Sequence, residues 1–108
     1  MTNQPKLLFI CSRNQWRSPT AEVVFKQKGF STRSAGTSPQ AQKTVSIKDI
    51  SWADIVFVME SKHKNRLQAQ FSRALSYKPI HVLEIPDEYK YMDTELVCEL
   101  EARVTSYL

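Results

Sequence analysis

The run Ile55-Val56-Phe57-Val58-Met59 is apolar at every position. A strand with one wet face alternates apolar and polar residues, so a strand without polar positions needs cover on both faces. Leu7-Leu8-Phe9-Ile10 makes the same demand, and Pro79 to Leu83 is a further strand candidate. Helical periodicity fills the stretches between. A helix is predicted from about Ser18, with Pro19 suited to its first turn and Glu22 favourable near its N-terminus. Ala21, Val24, Phe25 and Lys28 share one face, and Gly29 can end the helix. Phe30 to Ser34 reads as a second strand, closed by Ala35-Gly36-Thr37. Ser46 can cap a short helical turn through Trp52, and Ser61 to Arg73 reads as a basic helix. Asp93 can cap a last helix with Leu96, Leu100 and Val104 on one face. Strands separated by helices pair in parallel through right-handed crossovers. The expected fold is α/β: a single domain over residues 1–108, a four-stranded parallel sheet flanked by helices on both faces.

With 108 residues the chain fits one domain and can bury a core without disulfides or metal. Its two cysteines, Cys11 and Cys98, do not suggest a disulfide scaffold. No apolar run is long enough to span a membrane, and Leu7 to Ile10 is too short for a signal-peptide core. A cytoplasmic protein with reduced thiols is expected. The net charge of +4 is unevenly spread. Residues 1–83 carry 13 Lys/Arg against 4 Asp/Glu, whereas residues 84–108 carry 2 against 7. A basic body suits an anionic ligand, although for the charge alone a solvated surface with no partner is the preferred reading. The basic residues are scattered rather than blocked, which argues against nucleic acid.

In parallel α/β folds, ligands bind beyond the carboxyl ends of the strands. Cys11 stands at such an end, and Cys11-Ser12-Arg13-Asn14-Gln15-Trp16-Arg17-Ser18 joins the first strand to the first helix. Backbone N–H groups in such a loop can converge on an anion, helped by the positive end of the helix dipole. A thiol there is pushed toward the thiolate. Arg17 can curl back and grip two phosphate oxygens with its planar fork. Ser18 can donate a hydrogen bond to the sulfur. Nucleophile, anion cradle and charge clamp are what thiol-based phosphoryl transfer requires. Cys and Arg at this spacing alone would equally fit a small buried residue and a surface charge. The strand before, the helix after and the Ser-Pro that follows favour the chemical reading.

The segment from Phe9 to Glu22 resembles the signature of low-molecular-weight protein tyrosine phosphatases, C-x5-R-S followed by P-x-A-E. Ser34-Ala35-Gly36-Thr37 is similar to that family's second-strand motif, and Ala53 to Met59 to its third strand. Pro86-Asp87-Glu88-Tyr89 is similar to the late segment that carries the family's general acid. The resemblance implies that Cys11 forms a phosphocysteine, that Arg17 binds the phosphoryl group, and that Asp87 protonates the leaving oxygen and later activates water. It implies a phosphate-binding loop of Ser12, Arg13, Asn14, Gln15, Trp16, Arg17 and Ser18, braced by Asn14, Ser18 and Ser34. Trp16, Tyr89 and Tyr91 would shape the substrate cleft, although the two tyrosines fit a packing role as well. No metal or organic cofactor is implied. The implied partner is a phosphotyrosine-containing protein or a small aryl phosphate, with inorganic phosphate as product and no membrane or nucleic acid.

The chain departs from the family pattern in several places. It is shorter, mainly between Thr37 and Ala53 and after Tyr91. Arg13 stands where family loops often have glycine, which leaves Asn14 as the candidate for a left-handed backbone conformation. Trp16 replaces the second cysteine of many members, which removes a protective disulfide. Glu88 replaces the proline after the acid. Two other functions fit this fold: a non-catalytic phosphate- or phosphotyrosine-binding module, and a thiol-dependent arsenate reductase, for which Cys98 alone is poor support. Cys98 reads as a packing residue of the last helix, and His63 and His81 as structural or surface residues.

Overall fold

The computed structural model describes residues 4–108. In chain order the elements are β1 (Leu7–Cys11), α1 (Arg17–Gln27), β2 (Thr32–Gly36), α2 (Ile47–Trp52), β3 (Ile55–Val58), α3 (Ser61–Leu75), β4 (Ile80–Val82) and α4 (Thr94–Thr105). The four strands form one parallel sheet in the order β2-β1-β3-β4. Alternate residues of β1 feed two cores. Leu7 and Phe9 join Phe25 of α1 and Leu96 and Leu100 of α4 on one face, while Leu8 and Ile10 join Ile50 of α2 and Leu67 of α3 on the other. All five β1 side chains are buried, as the uninterrupted apolar run requires. Phe9 stacks on Phe25 and Phe57 at ring-centroid distances of 5.6 and 5.5 Å.

The helix ends follow local chemistry. Ser46 and Asp49 form a reciprocal capping box that starts the six-residue α2. The Asp93 carboxylate accepts from the Glu95 N–H and starts α4. Beyond α1, Gly29 takes a positive φ of 98°.

Lys28, at the end of the face that Ala21, Val24 and Phe25 bury, is exposed and salt-bridged to Glu101. Two expectations need correction. The second strand runs from Thr32 to Gly36, because the chain turns at Gly29 and Phe30 packs sideways onto the core. That shift lets Ala35 pair with Ile10 and Gly36 with Cys11. Cys98 is exposed on α4 and packs against nothing in either core. The basic helix α3 continues to Leu75 across a kink at Phe71.

Candidate active site

β1 delivers Cys11 to the carboxyl edge of the sheet, and residues 12–16 form the loop that enters α1 at Arg17. The loop carbonyls of Cys11, Ser12 and Arg13 are taken by the N–H groups of Thr37, Ser38 and Gln42 at 2.9–3.0 Å. No backbone N–H from Ser12 to Trp16 has a hydrogen-bond acceptor among the described residues. With three of its carbonyls taken by the 37–42 segment, the loop has N–H donors left unpaired, the kind of group that can bind an anion. Asn14 supplies the left-handed turn, with φ 52°. The close approach depends on Gly36, where a Cβ would lie 2.5 Å from the Ser12 carbonyl oxygen.

Behind the loop runs a directed chain of hydrogen bonds. The Asn14 side-chain amide donates to the Ser18 hydroxyl at 2.9 Å and the Ser34 hydroxyl at 3.0 Å. Ser34 passes its own hydrogen to the Glu22 carboxylate. Ser18 accepts from Asn14, so its hydrogen is left for the Cys11 sulfur, 3.0 Å away. Asn14, Ser18 and Ser34 are all buried, and they stand behind the pocket rather than lining it.

The pocket itself is lined by Cys11, Ser12, Arg13, Gln15, Trp16, Arg17 and Asp87. Arg17 is 3% exposed, and its Nη1 donates to Glu60 Oε1 at 2.5 Å and to the Ile85 carbonyl at 2.8 Å. These two anchors hold the guanidinium over the loop. Burial alone would raise the Glu60 pKa, but the hydrogen bond and charge of Arg17 hold it below the usual carboxylate range. Asp87 stands at the mouth, 60% exposed, with Oδ1 3.7 Å from Arg17 Nε. Trp16 forms part of the rim.

Tyr89 and Tyr91 do not reach this pocket. Tyr89 packs against the core on the α1/α4 side, and Tyr91 is exposed. The chain turns away after Asp87, because Thr20 on α1 captures the Met92 N–H at 2.9 Å.

Glu60 and His63 were invisible to motif reading, since neither lies near the loop in sequence. His63 is buried, not a surface residue. Its Nδ1 accepts from the Glu60 N–H at 3.0 Å, so Nε2 carries the hydrogen and donates to Ser12 Oγ at 2.8 Å. Burial and the Arg17 charge lower its pKa to about 4, despite Glu60 and Asp87 nearby. The Ser12 hydroxyl hydrogen is then free to point into the pocket. Among the described residues no group of three His, Cys, Asp or Glu is placed to hold a metal ion.

No family model matches the sequence, and no curated protein is significantly similar to it. Solved structures are similar. YwlE arginine phosphatase from Geobacillus stearothermophilus superposes with a TM-score of 0.75 at 22% identity, over 96% of this chain and 90% of that one. The low molecular weight protein tyrosine phosphatase from T. tengcongensis gives 0.71 at 20% identity, over 97% and 100%. Vibrio vulnificus Wzb in complex with benzylphosphonate gives 0.75 at 18% identity, over 94% and 95%. The fold is that of the low-molecular-weight protein tyrosine phosphatases. Within this fold Cys11, the loop of unpaired amides and the anchored Arg17 meet at the carboxyl edge of the sheet, where α/β folds bind ligands.

Proposed function

We propose that the protein is a cysteine-dependent phosphatase that hydrolyses phosphate monoesters through a phosphocysteine. The observation that carries this reading is a loop of backbone N–H groups without acceptors that follows Cys11 and shares one pocket with its thiol and the Arg17 side chain. An anion fits there, and a sulfur in its floor is positioned to attack phosphorus. The fold it shares with known phosphatases supports the same chemistry.

In the first step the Cys11 thiolate forms a bond to phosphorus as the ester P–O bond breaks. Asp87 gives its proton to the departing oxygen. The amides of residues 12–16 and Arg17 hold the three phosphoryl oxygens, whose charge is greatest in the transition state. The Ser18 hydroxyl stabilises the sulfur as attacker and later as leaving group. In the second step water attacks phosphorus, the P–S bond breaks, and Asp87 takes the proton from water. Inorganic phosphate leaves, and no cofactor enters the cycle.

The substrate class is an aryl phosphate, namely phosphotyrosine in a protein or a small aryl ester. Trp16 at the rim supplies an aromatic wall. The work is assigned to the cytoplasm, where Cys11 stays reduced; no helix is long and apolar enough to cross a membrane among the described residues. Neither nucleic acid nor a membrane is a partner in this reading.

Turnover of an aryl phosphate by wild type, Cys11→Ser, Arg17→Ala and Asp87→Asn tests the proposal. Cys11→Ser and Arg17→Ala are expected to lose activity by a factor of 100 or more, on the order of 3 kcal/mol of transition-state stabilisation. Asp87→Asn is expected to slow turnover while phosphate still binds. An inactive wild type that nevertheless binds phosphotyrosine would make this a binding module. Preferential turnover of phosphoarginine would move the substrate from an ester to a phosphoramidate.

A further inference from the structure

A second concavity of about 320 Å³ adjoins the catalytic pocket, and the two share Ser12 as a common wall. On one side it is lined by Lys62, His63 and Arg66 of α3, and on the other by Thr37, Ser38 and Pro39 after β2. Lys62 and Arg66 are four residues apart, one above the other on the helix surface. No carboxylate lines this concavity. Arg66 forms no ion pair among the described residues, and the contact from Lys62 to Glu60 is a long 3.9 Å. The His63 ring is held neutral at physiological pH, so it contributes a polar wall rather than a third charge. Thr37 and Ser38, two hydroxyl-bearing residues, line the recess with the cations.

The opposite rim of the catalytic pocket has the reverse character. Asp87 lines the mouth, and Glu60 and Glu84 flank the adjoining surface beside Pro86, with Lys62 at the boundary between that surface and the recess. A peptide chain crossing the mouth would therefore meet positive charge on one side and negative charge on the other. Two cations without a carboxylate in a polar recess favour an anionic side chain there, through solvent-screened but geometrically confined attraction.

We propose that this recess is a specificity subsite that receives an acidic side chain of the peptide substrate, on one side only of the phosphorylated residue. The proposal deepens the phosphatase reading and rests on it. Ser12 separates the two anions, with the phosphoryl group against its backbone N–H and the carboxylate beyond its side chain. The remaining charge of the recess then distinguishes peptides that a small aryl phosphate cannot.

The test compares phosphotyrosine peptides carrying Glu, Ala or Lys at the flanking positions, first on the N-terminal and then on the C-terminal side. Wild type is expected to show kcat/KM about three- to tenfold higher for Glu than for Ala on one side only, a ratio that shrinks with added salt. In K62A/R66A that ratio should fall to about one, and in K62E/R66E the Lys-flanked peptide should become the better substrate. Each comparison is made within one variant, so a change in folded fraction cancels. The same peptides are titrated calorimetrically against Cys11→Ser, which reads the preference as a ratio of Kd values without any chemistry. A flat Glu/Ala ratio, or a preference that survives charge reversal, would overturn the subsite. Absent aryl phosphate turnover with an intact Kd preference would instead sink the phosphatase reading and leave the recess as an acidic-peptide site.

Discussion

His63 shows how a single residue can tie the loop to the rest of the site. It receives the Glu60 N–H, hands its own hydrogen to Ser12, and so starts α3 and orients a pocket hydroxyl at once. The bond from the Glu60 N–H needs a free lone pair on Nδ1 and is lost when the ring takes a second proton, whereas Nε2 can donate to Ser12 in either state. The unfolded chain takes up this proton near pH 6.5, whereas the folded chain does so only near pH 4. Between those values the unfolded state holds more protons, so stability falls as the pH falls. The loss amounts to about 3 kcal/mol across the window, since one pKa unit is worth about 1.4 kcal/mol. Thermal unfolding of wild type from pH 7 to pH 4 should show this decline, and His63→Gln should be less stable at pH 7 with a flatter profile. A histidine variant with the wild-type slope would exclude His63 as its source. Nothing in the local sequence around His63 pointed to this role, because its partners are 3 and 51 residues away and only the fold brings the distant one close.

At the scale of the elements, each strand was legible where burial left no choice. β1 and β3 are apolar throughout, so they could only be central strands, and the sheet order places them side by side. The capping residues Ser46 and Asp93 marked helix starts because an N-cap needs a short oxygen-bearing side chain. β2 was misplaced by two residues, because its boundary is set by pairing with Ile10 and Cys11 rather than by its own weakly patterned sequence. Of the site, the Cys11–Ser18 loop was readable since its parts are contiguous. Glu60 was not, nor which of their two open roles Tyr89 and Tyr91 take, because each depends on how a separate segment packs. Gly36 joins the two scales: β2 ends there against the Ser12 carbonyl. Gly36→Ala should reshape the loop more than it weakens the fold. The expected result is a loss of at least tenfold in aryl phosphate kcat/KM with a Tm drop of a few degrees. Unchanged kcat/KM would show that the loop tolerates displacement at this contact.

The whole molecule places its chemistry at one edge and its stability in two cores. α4 packs Leu96, Leu100 and Val104 into the core shared with α1, and none of its residues lines the catalytic pocket. Leu100→Ala should therefore cost about 2–5 kcal/mol of stability, a large share of the roughly 5–15 kcal/mol that holds a domain. Its kcat/KM measured well below Tm should stay within a factor of two of wild type. A collapse of activity in a folded Leu100→Ala protein would mean that the edge and the core are coupled. The charge asymmetry has a matching layout: basic residues of α3 border the loop, whereas the acidic last quarter forms the Asp87 segment and α4. The central claim is that Cys11 accepts the phosphoryl group, and a direct observation of that bond decides it. Asp87→Asn, slowed in the step that releases phosphate, is mixed with an aryl phosphate, quenched in acid and digested for mass spectrometry. The expected result is one added phosphoryl group on the peptide containing Cys11, absent from Cys11→Ala; turnover without that adduct, or an adduct on any other residue, would contradict it.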